Sequence, residues 1–161
     1  MQEMLGADRP DYGHIFDDMI HEEGEPIATG PYIAPRVEFE IAFVLKADID
    51  GESVTVETVT EAIDYVVPAA EIIDSRIRDW KIKFEDTVAD NGSSAGAVFG
   101  SGRVELEAVV WLSRALHQYG ISLKKGEKIL AGALTKAVDV ESGDHFRATF
   151  EGLGEVEVIF S

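Results

Sequence analysis

The chain has 161 residues, no cysteine, 45% hydrophobic residues and a formal net charge of −17. That length fits one domain, and the missing cysteines exclude disulfides and thiolate chemistry. The negative charge repels phosphate backbones, and no apolar run approaches the ~18 residues of a membrane span, so neither nucleic acid nor a membrane is an expected partner. The amino terminus lacks a signal-peptide pattern, and we expect a cytoplasmic protein.

The first regular element that the sequence predicts is a strand over residues 36–46, after a turn-rich stretch at 1–35. Its first ten residues, RVEFEIAFVL, alternate apolar side chains with Glu38 and Glu40, and beyond Glu40 both faces are apolar. Such a pattern is typical of a strand that runs from the surface into the interior. The two carboxylates therefore share one face at the mouth of this strand.

Helical spacing follows in residues 58–67. Thr58 and Glu61 match a capping box, and Pro68 is predicted to end the helix because it cannot continue the hydrogen-bond ladder. The next residues, 69–77, alternate as AAEIIDSRI and predict a second strand.

Small residues dominate the stretch 86–102, which predicts a loop beside a short strand. The clearest helix covers residues 105–119, and Gly120 suits the position after its end. The remaining segments predict strands joined by glycine-containing turns: LKKGEKILAGAL, KAVDV, HFRATF and EVEVIF. Because strands dominate, we predict an α+β fold, a strongly curled mixed β-sheet or open β-barrel with a few packed helices.

Carboxylates on the two predicted strands suggest a metal site. Residues two apart on a strand project from the same face about 6.5–7 Å apart, so Glu38 and Glu40 can converge on one ion, and Glu71 supplies a third carboxylate. Carboxylates near an interior repel each other and lose hydration, and a hard divalent cation relieves both costs. Oxygen ligands favour Mg²⁺, Mn²⁺ or Ca²⁺. The alternative is a solvated strand face with Glu71 paired to Arg76 or Arg78.

Other polar residues carry weaker signals. Ser93 and Ser94 lie in the small-residue stretch without an obvious activating base, so loop hydrogen bonding is a simpler interpretation than nucleophilic catalysis. The histidines have no partner at ligand spacing and are interpreted as surface or capping residues: His14, His21, His117 and His145.

Six segments resemble, in order, those of the 2-keto-4-pentenoate hydratases and of the related 2-oxo-4-enoate (4-oxalocrotonate) decarboxylases, both in the fumarylacetoacetate hydrolase superfamily. They are DYGHIFDDM, PRVEFEIAFVL, VVPAAEIIDSRIRDW, DTVADNGSS, LAGALTKAV and EGLGEVEV. The resemblance covers most of the chain. The glutamate pair followed by the glutamate of EIIDSR is specific for the superfamily's metal site and weaker at separating hydratase from decarboxylase.

The resemblance implies roles for single residues. Glu38, Glu40 and Glu71 match the family's metal ligands, for Mg²⁺ or Mn²⁺. Asp11 and Ser93 are the catalytic candidates, with proton transfer assigned to Asp11. Asn91 and Thr135 match family positions in the pocket and are substrate-binding candidates. Arg36 is a third candidate on a charge argument, because three carboxylates around a divalent ion leave a net charge near −1, and Arg76, Lys81 or the family's lysine could supply the positive charge instead.

The implied activity is metal-dependent addition of water to 2-hydroxypenta-2,4-dienoate-type acids, giving 4-hydroxy-2-oxo acids in the meta-cleavage catabolism of aromatic compounds. The alternatives are a 2-oxo-4-enoate decarboxylase and a truncated, non-catalytic family member. Implied partners are the small 2-oxo or 2-hydroxy-dienoate substrate, further copies of the chain, and a sibling hydratase or decarboxylase or a downstream aldolase in a complex. Residues 1–161 are expected to form one catalytic domain that lacks the family's N-terminal lysine motif and an internal segment near residues 100–105.

Overall fold

The structure is a computed structural model that describes residues 12–51, 54–102 and 122–161. Asp11 and the helix predicted at 105–119 lie outside these ranges. The strands are β1 Ile20–His21, β2 Pro26–Ile27, β3 Arg36–Leu45, β4 Ile63–Ile73, β5 Ser94–Phe99, β6 Lys128–Leu130, β7 Val138–Asp139, β8 His145–Phe150 and β9 Gly154–Phe160. The helices are α1 Val56–Ala62 and α2 Phe84–Ala89, with 3₁₀ turns at Asp17–Met19, Arg78–Trp80 and Asn91–Ser93.

The strands form two open sheets in the described residues. The larger has the order β1-β5-β4-β3-β6, with β7 also paired to β3, and the smaller has the order β2-β9-β8. Most pairs are antiparallel, whereas β1 lies parallel to β5 and β2 parallel to β9. The α+β prediction is confirmed. The curled sheet or open barrel is not supported, because neither sheet closes on itself within the described ranges.

The long antiparallel pair of β3 and β4 is the centre of the larger sheet. On one face, Val37, Phe39 and Ile72 pack with Val156 and Phe160 of the smaller sheet, so apolar burial between the two sheets holds them together. The other face carries the glutamates in place of large apolar residues, because side chains alternate across a strand. The site face is thus supported from behind by the main core.

The prediction of a helix over residues 58–67 is confirmed for residues 58–62 and wrong beyond them, and Pro68 does not end the helix. Helix α1 ends at Ala62, and β4 begins at Ile63 and runs straight through Pro68. The Pro68 carbonyl accepts from the Gly100 N–H just beyond the end of β5, so the nitrogen of Pro68 also faces the end of that strand. The missing N–H therefore falls where the β4–β5 ladder stops, which is where proline is tolerated in a sheet.

Other local predictions have mixed outcomes. Strands β8 and β9 confirm the predictions from HFRATF and EVEVIF, whereas α2 occupies part of the stretch predicted as a loop. The capping box of α1 is formed by Thr55 and Thr58, so the predicted N-cap, Thr58, is three residues late. Of the helices in the described ranges, none has the length and apolarity needed to cross a membrane.

Candidate metal centre

The register of β3 and β4 brings the three predicted glutamates together. Glu38 is the direct cross-strand partner of Glu71, and Glu40 follows two residues along β3 on the same face. Each of the three offers a carboxylate oxygen, and these oxygens all lie within 4.8 Å of one another. The predicted convergence of Glu38, Glu40 and Glu71 is therefore present in the fold.

Glu40 is the most deeply placed of the three, with only 2% of its surface exposed. The pKa of Glu40 is raised to about 7. Burial is the main cause and the neighbouring Glu38 carboxylate adds to it, whereas the hydrogen bond from the backbone N–H of Gly132 lowers the pKa. That N–H donates to Oε2 of Glu40 at 3.0 Å. Without a positive partner, this carboxylate is costly to ionise, as expected for a group built to meet a cation.

Glu71 is held by a serine from the neighbouring strand. The Ser94 hydroxyl donates to Oε1 of Glu71 at 2.6 Å, and the Ser94 residue is only 5% exposed. A short hydrogen bond to a carboxylate oxygen fixes the side chain's orientation more firmly than packing alone. Glu40 and Glu71 thus each have one carboxylate oxygen held by a donor from another segment of the chain.

The geometry and chemistry of the cluster fit a hard divalent cation. Two oxygens bound to one such ion at about 2.0–2.6 Å lie at most about 5 Å apart, which matches the observed separations. All three donors are carboxylate oxygens, the type that Mg²⁺, Mn²⁺ and Ca²⁺ prefer. The alternative prediction paired Glu71 with Arg76 or Arg78. In the structure, the Arg76 guanidinium instead forms a salt bridge with Asp90 at 2.6 Å.

Arg36 lies at the mouth of the site, on the same face of β3 as Glu38 and two residues before it. Its Nε donates to Asp139 at 2.7 Å, and its guanidinium carbon lies 4.4 Å from the centre of the Trp80 ring. The backbone of Trp80 has a φ of 54°, a conformation that side-chain-bearing residues rarely adopt. Arg36 is therefore a fixed positive group beside three negative ones.

Thr135 and Gly132 belong to a segment that lies along the edge of β3. The Thr135 hydroxyl accepts from the backbone N–H of Phe39, the residue between the two β3 glutamates, at 3.1 Å. Leu134 donates to the Phe39 carbonyl and Ala131 to that of Ile41. Thr135 is thus next to the cluster, with its hydroxyl exposed and engaged with the backbone.

Asn91 holds another segment of the chain in place. Its side-chain oxygen accepts from the His14 N–H at 2.8 Å, and its side-chain nitrogen donates to the His14 carbonyl at 2.9 Å. The backbone of Asn91 also lies so close to Gly13 that a Cβ on Gly13 would meet the Asn91 carbonyl oxygen. The Asn91 amide therefore binds the chain just after Asp11, and Asp11 itself lies outside the described residues.

The two neighbouring serines have different partners. The Ser93 hydroxyl donates to Asp90 at 3.3 Å, within the group that also includes Arg76 and Ser75. Ser94 contacts the acidic cluster, whereas the sequence analysis interpreted it, with Ser93, as a loop hydrogen-bonding residue and assigned it no place in the metal site. Gly132 was missed as well, since a backbone donor leaves no signal in residue type. Strict alternation of side chains along β5 would also have placed Ser94 on the wrong face of the sheet, because the strand is irregular there.

Two of the three comparisons with known proteins found similar proteins. No family model matches the chain. It is 41% identical over 192 residues to a 2-keto-4-pentenoate hydratase from Paraburkholderia xenovorans (strain LB400), covering 99% of this chain and 71% of the relative. It is 37% identical over 195 residues to a 2-hydroxyhexa-2,4-dienoate hydratase from Comamonas testosteroni, covering 100% and 74%.

A solved structure has the same fold. The 4-oxalocrotonate decarboxylase from Pseudomonas putida G7, complexed with magnesium and adipate, matches with a TM-score of 0.92 at 28% identity, over 99% of this chain and 73% of that one. Fold and site together define an enzyme of the lyase type within the fumarylacetoacetate hydrolase superfamily. Within that class, the chain belongs to the 2-keto-4-pentenoate hydratase family.

Proposed function

We propose that this protein is a divalent-metal-dependent hydratase that adds water to 2-hydroxypenta-2,4-dienoate-type acids and forms 4-hydroxy-2-oxo acids. The observation that carries the proposal is the cluster of Glu38, Glu40 and Glu71, in a chain that belongs to a family of hydratases. The relative with the solved structure is complexed with magnesium. Mg²⁺ or Mn²⁺ is the proposed cofactor, held by the three glutamates.

The chemistry needs an electron sink at the 2-oxo group and a route for protons. When bound, a divalent cation supplies a Lewis acid that polarises this group. The dienol proton moves from the 2-hydroxyl group to C5, which gives a conjugated 2-oxo acid. Water then adds its oxygen to C4 and its proton to C3. We assign proton transfer to Asp11, as the family resemblance implies.

Substrate orientation follows from the positive group at the mouth of the site. Three carboxylates and a doubly charged ion leave a net charge near −1, so an anionic substrate needs a further cation nearby. Arg36, Arg76 and Lys81 are each paired with an aspartate, namely Asp139, Asp90 and Asp79. Of the three, Arg36 lies on the face of β3 that carries Glu38 and Glu40. We assign the substrate carboxylate to Arg36, with Thr135 beside it.

Asn91 and Ser93 lie in the 3₁₀ turn before β5, and each has a proposed part in the site. Asn91 acts by holding the backbone of His14, which keeps the chain near Asp11 in place. A catalytic part for Ser93 requires its hydroxyl to leave Asp90. The arrangement therefore favours Ser94 as the serine that acts at the metal ligands.

A decarboxylase is the second candidate. It is favoured by the TM-score of 0.92 with 4-oxalocrotonate decarboxylase, although the curated relatives with higher identity are hydratases. The same electron sink that makes C4 electrophilic would stabilise the dienolate left by loss of CO₂. A cation held by the three glutamates would therefore support either reaction. Identification of the product distinguishes the two.

The test is a product assay on the full chain with MgCl₂ or MnCl₂. With 2-hydroxypenta-2,4-dienoate, the hydratase proposal expects loss of the dienol absorbance and formation of 4-hydroxy-2-oxopentanoate. Release of CO₂ from 4-oxalocrotonate, with no hydration product, would favour the decarboxylase. If divalent ions bind and neither product forms, the chain is a non-catalytic family member.

We further propose a cytoplasmic homo-oligomer, with association to a sibling hydratase, decarboxylase or aldolase as a further step. Large apolar side chains at the surface support self-association: Phe16, Ile20, Ile33, Val88, Leu134 and Val138. Light scattering at several protein concentrations measures the mass of the assembly, and a monomer at all concentrations contradicts it. We also propose a single catalytic domain with a shortening near residues 100–105. This is supported by alignments of 192 and 195 residues to a chain of 161.

A further inference from the structure

Strand β5 is irregular beside the acidic cluster. Glu71 pairs with Ala97 and Ile72 with Gly96, but Ile73 pairs with Ser94, so Ala95 is an extra residue in β5. This arrangement is a β-bulge, and it changes the face on which the preceding residue of β5, Ser94, presents its side chain. In a regular ladder, Ile73 would face Ala95, and Ser94 would lie on the opposite face from Glu71. The bulge therefore places the Ser94 hydroxyl on the face of the carboxylates.

The turn that precedes the bulge is strained. Asn91, Gly92 and Ser93 have φ values of 58°, 70° and 60°. A left-handed conformation is unfavourable for a residue other than glycine, and such strain persists only where surrounding contacts impose it.

Those contacts are visible on both sides of the turn. Asn91 is tied to His14 by two hydrogen bonds, and the Ser93 carbonyl accepts from the Asp74 N–H at 2.8 Å. Asp90, just before the turn, is bound by Arg76. The fold thus maintains a strained turn and a bulge whose combined result is the 2.6 Å hydrogen bond from Ser94 to Glu71.

We infer that Ser94 is a positioning residue, which sets the orientation of the Glu71 carboxylate and thereby the affinity and selectivity of the cation site. This inference rests on the proposed function, since it concerns the cation which that function needs. When a hydroxyl donor holds one oxygen of a carboxylate, the carboxylate has fewer orientations in which its oxygens can bind an ion. Mg²⁺ demands near-ideal octahedral geometry, whereas Ca²⁺ accepts six to eight ligands in flexible arrangements. A fixed Glu71 therefore favours the smaller ion.

The experiment measures binding of Mg²⁺, Mn²⁺ and Ca²⁺ to the full chain by calorimetry. Ser94→Ala should weaken Mg²⁺ binding by about 10- to 100-fold, the usual effect of losing a hydrogen bond to a metal ligand, and Ca²⁺ binding by less. Ser94→Cys, nearly the same size with a weaker donor, should give a smaller loss in the same direction and serves if the alanine variant fails to fold. Circular dichroism confirms the fold of each variant.

Ser75→Ala is the matched control, because Ser75 is also buried and its hydroxyl also lies near a carboxylate, Asp90. Its Mg²⁺ affinity should stay within about threefold of the wild type. The inference is overturned if Ser94 variants bind Mg²⁺ like the wild type, if the Mg²⁺-to-Ca²⁺ preference does not change, or if Ser75→Ala loses as much. A wild-type chain that binds no divalent ion overturns the proposed function as well, so the two failures are distinguishable.

Discussion

Glu38 lies directly opposite Glu71 across the β3–β4 pair, and their side chains project from the same face. This relationship depends only on strand register. A slip of one residue between β3 and β4 would turn one of the two carboxylates to the opposite face, among the apolar residues between the sheets. The register is itself fixed by apolar residues such as Val37 and Ile72, which must stay buried on that other face. The packing of the core therefore sets the geometry of the acidic cluster.

Substitution of the cluster tests whether it binds a cation. Each of Glu38→Gln, Glu40→Gln and Glu71→Gln should weaken Mg²⁺ or Mn²⁺ binding at least about 100-fold, because each removes one charged ligand. Calorimetry on the variants gives the affinity directly. Glu61→Gln, which removes an exposed charge in α1, is the control and should bind like the wild type. Three glutamine variants that keep wild-type affinity would contradict the ligand assignment.

Removal of the metal should also be visible in stability. A cation that binds only the folded state increases the free energy of unfolding. At a free ion concentration about 100 times the Kd, the increase is about 2.7 kcal/mol. Chelation with EDTA should then lower the melting temperature of the wild type but not that of Glu38→Gln. An equal shift in both proteins would show that EDTA acts elsewhere.

The sequence predicted the acidic cluster well because alternation is a simple signal. Glu38 and Glu40 share a face by their spacing alone, and Glu71 on the next predicted strand was available as a third carboxylate. The family resemblance then matched all three to metal ligands. Helix α1 and strand β4 were harder to separate. Val59, Ile63 and Val66 fit a helical stripe, but β4 is buried on both faces from Val66 to Ala70, and a strand without a polar face has no period of two to detect.

The supporting donors of the site could not be predicted from the residues. Ser94 reaches Glu71 only because Ala95 is an extra residue in β5, and a bulge cannot be read from alternation. Gly132 acts through its backbone N–H, which every residue except proline possesses. These contacts depend on how distant segments meet, so they appear only in the folded chain.

Arg36 and Asp139 allow a paired test of substrate binding. Arg36→Gln should raise KM for the acid about tenfold or more with a smaller change in kcat, because it removes a positive group from the mouth of the site. Asp139 is bound to Arg36 and is itself highly exposed. Asp139→Asn should therefore leave KM unchanged or lower it, since Arg36 keeps its charge and loses a competitor. Steady-state kinetics of both variants decide the matter, and equal rises in KM would assign Arg36 a structural part only.

The contact between Gly13 and Asn91 leads to a prediction about stability. A Cβ at Gly13 would lie 2.2 Å from the Asn91 carbonyl oxygen, whereas one at Gly30 would meet nothing within 4 Å. Gly13→Ala should therefore lower the free energy of unfolding by about 1–3 kcal/mol, as overpacking does. Gly30→Ala should change it by less than about 0.5 kcal/mol. Urea denaturation compares the two, and equal effects would contradict the close approach of these segments.

His21 gives a prediction about pH. Burial lowers the pKa of His21 below 6.5, and its Nε2 lies 3.2 Å from the Tyr32 hydroxyl oxygen. The unfolded chain therefore binds a proton at a higher pH than the folded chain does. Below about pH 6.5 the unfolded state gains protons first, so stability is present above that pH and is lost as the pH falls. The loss attributable to one proton is at most about 1.4 kcal/mol per pH unit.

Denaturation of His21→Gln between pH 5 and 8 tests this origin, because glutamine keeps a polar side chain but does not titrate. The variant should show a flatter dependence of unfolding free energy on pH than the wild type. Tyr32→Phe removes the hydroxyl but leaves His21 as partly buried as before, so it should keep the wild-type slope if burial is the cause. A flattened slope in Tyr32→Phe would instead assign the effect to the hydrogen bond. An unchanged slope in His21→Gln would exclude His21 as its source.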